Sequence, residues 1–306
     1  MPLKVGITGA TGYIGRRLVK ALVARDAEVT AFTRDPSRAR RVLPPEVKLY
    51  TWNPAEGVPP VGALEGLDGV VSLAGETIGT PRWTEAQKRR IRDSRIVGTR
   101  NLVDGIAAAA ARPKVLVSGS GIDYYGDSGD DRLDESSPPG KGFLARVVVD
   151  WEAEADRATS LGIRVVLIRT SLVLGPNGGI LQTLLPPFRL GLGTVIGSGR
   201  QWMPWVHLED EVGLILLALD REDLSGPINA TAPDPVTNAD FTQALARSVG
   251  RPAFLFVPGF LVELGMGEAS ELLLASKRAY PTKALAAGYR FAYPDLAGAL
   301  ATSVNA

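Results

Sequence analysis

Apolar positions follow two rhythms along this chain, and its first half alternates between them. Short runs rich in Val, Ile and Thr read as buried strands at Lys4–Thr8, Glu28–Thr33, Val47–Thr51, Gly69–Leu73, Lys114–Ser118 and Arg164–Ile168. Between them the spacing widens to three and four, as at Leu18, Leu22 and Val23. It predicts helices over Gly12–Ala24, Thr84–Ala111 and Phe143–Leu161. Single strands alternating with helices imply parallel strands joined by crossovers: an α/β protein with a Rossmann-type doubly wound parallel sheet. Lys88, Arg89, Arg90, Arg92, Asp93 and Arg95 crowd the long middle helix and read mainly as a solvated face.

Past Gly175 the pattern changes. Gly and Pro become dense through Pro176–Pro204, which reads as loop, as do Pro54–Gly66 and Asp127–Gly142. An apolar helix follows at Asp210–Leu219, then helices near Asn238–Val249, Leu261–Gly265, Ser270–Arg278 and Pro281–Ala287. The expected plan is a dinucleotide-binding domain over 1–174, to which 205–232 returns. A smaller, mostly helical C-terminal substrate lobe is built from 175–204 and 233–306. The ligand cleft belongs between them, at the carboxyl ends of the strands.

The first strand runs directly into Gly9-Ala10-Thr11-Gly12-Tyr13-Ile14-Gly15, with glycines spaced G-x-x-G-x-x-G. Strand before and amphipathic helix after make this a pyrophosphate turn rather than a merely tight bend. Gly9, Thr11, Gly12, Tyr13, Ile14 and Gly15 are the candidates. An acid usually ends the second strand and holds ribose hydroxyls; here Thr33 stands there, with Arg34 next. A guanidinium can pair with a 2′-phosphate that a carboxylate would repel, so the expected cofactor is NADP(H). The alternative is an exposed loop arginine.

Composition removes other chemistries. Hydrophobic residues make up 45% and charged residues 22% of 306, as in soluble globular proteins. A net charge of +1 offers no field for nucleic acid or an anionic membrane. With no cysteine and one histidine, disulfides, thiolate catalysis and a Cys or multi-His metal site are excluded, and no metal is expected. The amino terminus has no cleavable signal pattern, and Val212–Leu219 is too short to span a bilayer. A cytoplasmic protein with a small-molecule substrate is expected. No amphipathic seam argues for a dimer.

Several later segments resemble the extended short-chain dehydrogenase/reductase (SDR) superfamily. Leu73-Ala74-Gly75 looks like its turn over the cofactor, with Glu76 following. Val117-Ser118-Gly119-Ser120 and Tyr124-Tyr125-Gly126 resemble its serine strand end. Arg169-Thr170-Ser171-Leu172-Val173-Leu174-Gly175-Pro176 looks like the strand and loop passing the nicotinamide, and Trp205-Val206-His207-Leu208-Glu209-Asp210 like its His-Val-x-Asp element. With Arg82-Trp83-Thr84, Asp150-Trp151-Glu152 and Pro187-Phe188-Arg189-Leu190-Gly191-Leu192-Gly193, the likeness narrows. It points to the atypical, NADP-binding "epimerase family" branch, sometimes labelled cell-division-inhibitor-like. The resemblance implies cofactor contacts at Leu73, Ala74, Gly75, Glu76, Ser118, Arg169, Thr170 and Leu172.

One departure matters for mechanism. Active SDR enzymes use a Tyr-x-x-x-Lys pair to move a proton, because an unassisted phenol near pKa 10 is a poor acid–base group at neutral pH. Here Phe143 or Leu144 stands at the tyrosine position and Val147 or Val148 at the lysine position, and the pattern occurs nowhere else. Ser120 with Tyr124 or Tyr125 could serve instead, or the tyrosines could be packing aromatics. Water or substrate could provide the proton, or the protein could bind NADP(H) as a non-catalytic sensor or partner-binding module. Met203 occupies the place where sugar-nucleotide epimerases commonly carry a diphosphate-binding arginine. Met203, Trp202 and Trp205 read either as a flat apolar substrate wall or as inter-lobe packing. His207 reads either as a pocket acid–base group or as a hydrogen-bonded structural histidine.

Overall fold

The computed structural model describes residues 1–304. Seven strands form one parallel sheet: β1 (Lys4–Thr8), β2 (Glu28–Thr33), β3 (Lys48–Thr51), β4 (Gly69–Ser72), β5 (Val115–Gly121), β6 (Arg164–Thr170) and β7 (Gly226–Ala230). Their order is β7-β6-β5-β4-β1-β2-β3, and every neighbouring pair is parallel. This is the doubly wound α/β sheet that the alternating pattern predicts. The order reverses between β1 and β4, and at that switch point a crevice opens beyond the strand ends.

The helices through residue 248 are α1 (Tyr13–Val23), α2 (Pro36–Arg40), α3 (Glu85–Ala108), α4 (Phe143–Asp156), α5 (Leu181–Arg189), α6 (Leu208–Asp220) and α7 (Asn238–Ser248); others follow at Gly259–Met266, Glu271–Leu274, Thr282–Ala286 and Leu296–Val304. On one face of the sheet, Leu18 and Leu22 of α1 pack with Leu214 and Ile215 of α6 over Val5, Ile7 and Val117. On the other, Leu102 and Ile106 of α3 meet Ala155 of α4 over Val70 and Leu116. Strands covered on both faces need no polar side, which is why they read as continuous apolar runs. A third cluster joins Leu181 and Phe188 of α5, Phe241 and Leu245 of α7, and Leu300 of the last helix, Leu296–Val304. It is a core separate from the two that flank the sheet.

Three expectations are corrected. The Pro-rich stretch 176–204 is not all loop, for α5 forms there with Pro186 and Pro187 inside it. The helix expected over Ser270–Arg278 stops at Leu274; Arg278–Ala279 instead pairs in parallel with Arg132–Leu133. The backbone is drawn out because Ser276 N donates to Asp127 Oδ1 at 2.9 Å and Lys277 N to Trp202 O at 3.2 Å, bonds a helix would forgo. β5 and β6 also run two to three residues past the expected ends, carrying Ser120 and Thr170 to the crevice. Among the described residues no helix is long and apolar enough to cross a membrane.

Candidate functional site

Gly9 ends β1 at φ +69°, and a Cβ there would lie 2.7 Å from the Leu73 carbonyl. Only glycine accepts both the dihedral and the approach. Thr8 Oγ1 accepts from Leu73 N at 3.1 Å and Ala74 N at 3.2 Å, which ties the loop after β4 against β1. Gly12 N donates to Gly9 O at 2.9 Å to close the turn, and a Cβ on Gly15 would overlap that same oxygen. Among the described residues no side chain caps the N-terminus of α1. Its first amides lack intrahelical acceptors and carry the positive end of the helix dipole. A dinucleotide pyrophosphate fits this gap, with glycines where side chains would obstruct it.

On one side of the turn lies a pocket of about 310 Å³ lined by Thr11, Gly12, Thr33, Arg34, Arg38, Ala74 and Gly75. Asp35 borders it too, but its Oδ1 accepts from Arg38 N at 2.9 Å as the N-cap of α2. Two guanidiniums therefore face this pocket, and the neighbouring acid is engaged by backbone. That donor set suits a 2′-phosphate better than a bare ribose.

On the other side is a chamber of about 600 Å³. It shares Gly9, Gly12, Leu73 and Glu76 with the first pocket, so the two form one cleft. Tyr13, Ile14, Gly15, Thr170 and Leu172 line it as expected, as do Ser120 and Met203. Leu144, Val147, Val148 and Trp151 of α4 supply an apolar wall where a Tyr-x-x-x-Lys pair would project. Tyr13 donates to Pro176 O at 3.0 Å, and burial pushes its phenol up to about 12.

Six expected site residues lie elsewhere, outside the cleft lining. Ser118 is fully buried in β5, its hydroxyl donating to Gly119 O at 3.0 Å. Arg169 lies beneath the floor in a doubly bonded ion pair with Glu152. Burial opposes its charge, but the hydrogen bonds and negative charge of Glu152 hold its pKa above the ordinary arginine value. That guanidinium gathers both tyrosines: its carbon sits 3.5 Å from the Tyr124 ring centre, and Nη1 donates to Tyr125 Oη at 2.9 Å. Tyr125 is 1% exposed, its hydroxyl 2.8 Å from Asn229 Oδ1, and burial pushes it up to about 12. Both tyrosines thus take the packing alternative. Trp205 is wholly buried in the third core. His207 is buried against Tyr293 with ring centres 3.7 Å apart, its Nδ1 accepting from Glu209 N at 3.2 Å. Burial lowers its pKa and so favours the neutral ring, the structural alternative.

Among the cleft residues that sequence reasoning does not find, four are charged and converge on the two pockets: Arg38, Arg95, Asp123 and Lys277. Arg38 had a usable signal, one helical turn after Arg34. Arg95 was read as part of a solvated face, yet it lines the chamber, and burial lowers its pKa to about 10. Asp123 and Lys277 also line the chamber and pair across it at 3.0 Å. No local pattern marks a pair so far apart in sequence.

A doubly wound sheet, a glycine turn at its switch point and a long cleft above it define a dinucleotide-binding protein of the extended SDR class. Residues 5–230 match the NAD dependent epimerase/dehydratase family, to which the chain belongs, and residues 257–302 match a domain of unknown function, DUF1731. It is 42% identical over 297 residues to the epimerase family protein Mb2239 of Mycobacterium bovis, covering 97% of this chain and 96% of that one. It is 37% identical over 304 residues to the human epimerase family protein SDR39U1, covering 97% and 98%. The crystal structure of human SDR39U1 (isoform 2) with NADPH superposes with a TM-score of 0.87 at 36% identity, covering 99% of this chain and 100% of that one.

Proposed function

We propose that this chain binds NADP(H) and acts as an oxidoreductase or epimerase on a small, largely apolar substrate, without a Tyr-x-x-x-Lys pair. The observation that carries the reading is the unbroken cleft from the Arg34–Arg38 pocket, across the uncapped end of α1, to the apolar chamber. The similarity to a structure solved with NADPH supports the same choice of cofactor. In the bound state the two guanidiniums hold the additional phosphate, the α1 amides hold the pyrophosphate, and the α4 wall keeps water from the reacting end. The reduced nicotinamide supplies hydride.

A non-catalytic NADP(H) sensor is the second reading, favoured by the aliphatic residues Leu144, Val147 and Val148 at the place of the usual proton relay. One experiment separates them. Purified protein is titrated with NADPH by fluorescence, then mixed with a panel of small apolar aldehydes, ketones and sugar nucleotides while NADPH absorbance and product formation are followed. Binding with turnover supports the enzyme; binding without turnover across the panel favours the sensor. No binding overturns both.

A further inference from the structure

We propose that Lys277, held by Asp123, is the proton donor of the chamber. This rests on the oxidoreductase reading above and goes beyond it by assigning the acid. Of the five hydroxyl side chains among the described lining residues, all but Thr77 are occupied. The Ser120 hydroxyl donates to Glu152 Oε1 at 2.5 Å, Thr170 to Glu211 Oε1 at 2.7 Å, Ser171 to Ala230 O at 2.7 Å, and Tyr13 to Pro176 O. Arg95 Nη1 likewise donates to Glu76 O at 3.0 Å and to Ile91 O at 3.2 Å. Among the described lining residues Lys277 is the one ammonium. It carries three N–H groups, and its ion pair to Asp123 Oδ1 at 3.0 Å uses one of them.

The group is also held in place. Lys277 is 6% exposed. Its neighbours are anchored on both sides: Ser276 N to Asp127 and Ser276 Oγ to Gly129 O, then Arg278–Ala279 in the strand pair with Arg132–Leu133. Asp123 lies in the short 3₁₀ turn Ile122–Tyr125 that follows β5, three residues beyond Ser120. The charges acting on the pair are Arg95, which feels Asp123, and Glu271, which feels both members and accepts from Leu144 N at the start of α4. A Cβ on Gly121 would meet Val148 Cγ2 at 3.6 Å and Asp123 Oδ2 at 3.8 Å, so the pair borders the apolar wall of α4.

The step balances simply. As hydride from the reduced nicotinamide forms the new C–H bond, the C=O π pair moves onto oxygen. That oxygen takes a proton from Lys277 Nζ, an O–H bond forms and an N–H bond breaks. The neutral amine is then reprotonated from water, with Asp123 as a positioning residue that keeps Nζ aimed. In the reverse direction the amine accepts the alcohol proton.

The test uses full-length protein and the cofactors themselves. The oxidised nicotinamide ring carries a positive charge that the reduced ring lacks, so a nearby charge alters the ratio Kd(NADP⁺)/Kd(NADPH). Lys277→Met leaves Asp123 unpaired and lowers that ratio by about threefold to tenfold, whereas Asp123→Asn leaves a bare ammonium and raises it by a similar factor. The double variant returns towards wild type. The affinity of 2′,5′-ADP, which lacks the nicotinamide half, stays the same in all four proteins and shows that the variants are folded. With a carbonyl compound that wild type reduces, Lys277→Met loses about a hundredfold or more in kcat. A ratio unmoved by either variant places the pair away from the nicotinamide and overturns the inference while leaving NADP(H) binding intact. A moved ratio with unchanged kcat overturns the proton-donor role. A wild-type protein that does not bind NADPH, or turns over no compound of the panel, sinks the oxidoreductase reading first and the inference with it.

Discussion

Glu152 holds Arg169 from two directions beneath the cleft floor, Nε to Oε1 at 2.8 Å and Nη2 to Oε2 at 2.9 Å. Ser120, Tyr124 and Tyr125 are all organised around this pair, which makes it the support of the strand ends rather than a reacting group. Removing one member leaves the other as a buried, unmatched charge. Glu152→Gln is expected to lower unfolding free energy by about 3–5 kcal/mol, and Glu152→Leu with Arg169→Met by clearly less. Urea titrations check both, and equal losses from the single and double changes would contradict this account.

Cofactor choice should follow the two guanidiniums. Saturating NADPH raises the stability of wild type by about 2.7 kcal/mol at a hundredfold excess over Kd. NADH at the same concentration shifts the melting temperature less. Arg34→Ala narrows the gap, and Arg34→Ala with Arg38→Ala closes it. Thermal melts with each nucleotide decide the matter; a gap that survives the double change would place 2′-phosphate recognition elsewhere.

The glycine turn has no room to spare. In Gly15→Ala the new methyl meets backbone, the Gly9 carbonyl, which a rotamer change cannot move. A loss of about 1–3 kcal/mol is expected, as for other overpacked sites. NADPH binding, followed by fluorescence, weakens along with it because Gly9 and Gly12 are displaced together.

Glu211 sets a pH dependence. It is 0% exposed, Oε1 accepts from Thr170, and Oε2 has no hydrogen-bond partner among the described residues. Burial raises its pKa from 4.5 to about 7, only partly offset by the Thr170 hydrogen bond. Below pH 4.5 both folded and unfolded states carry the proton. Between about 4.5 and 7 only the folded state keeps it, so its contribution to stability declines as pH rises, by about 3 kcal/mol in all. Glu211→Gln removes that slope. The variant should gain on wild type between pH 5 and pH 8 in urea titrations; parallel pH profiles would show that Glu211 titrates normally.

The legible parts of this molecule are those whose signals are local. β1, the turn and α1 announce themselves because a short apolar run, glycine spacing and period 3.6 follow one another within twenty-odd residues. α5 does not, since Pro186 and Pro187 read as loop when their helix is sustained by Leu181 and Phe188 in the third core. Tyr124 and Tyr125 sit at the expected strand end, but no sequence pattern reveals that Arg169 draws their rings and hydroxyl out of the cleft. Asp123 and Lys277 were invisible for the same reason in reverse: separate segments, unremarkable alone, meet through the Arg132–Leu133 and Arg278–Ala279 strand pair.

That small strand pair makes the carboxyl-terminal portion inseparable from the nucleotide fold. Leu272, Leu273, Ala275 and Lys277 complete the chamber's enclosure, so a fragment ending near residue 230 keeps the glycine turn but opens a vestibule to solvent. The two stretches recognised as distinct families, 5–230 and 257–302, thus work as vessel and stopper of a single compartment. Recombining the first stretch with a foreign partner should preserve grip on the nucleotide while forfeiting control over what enters beside it.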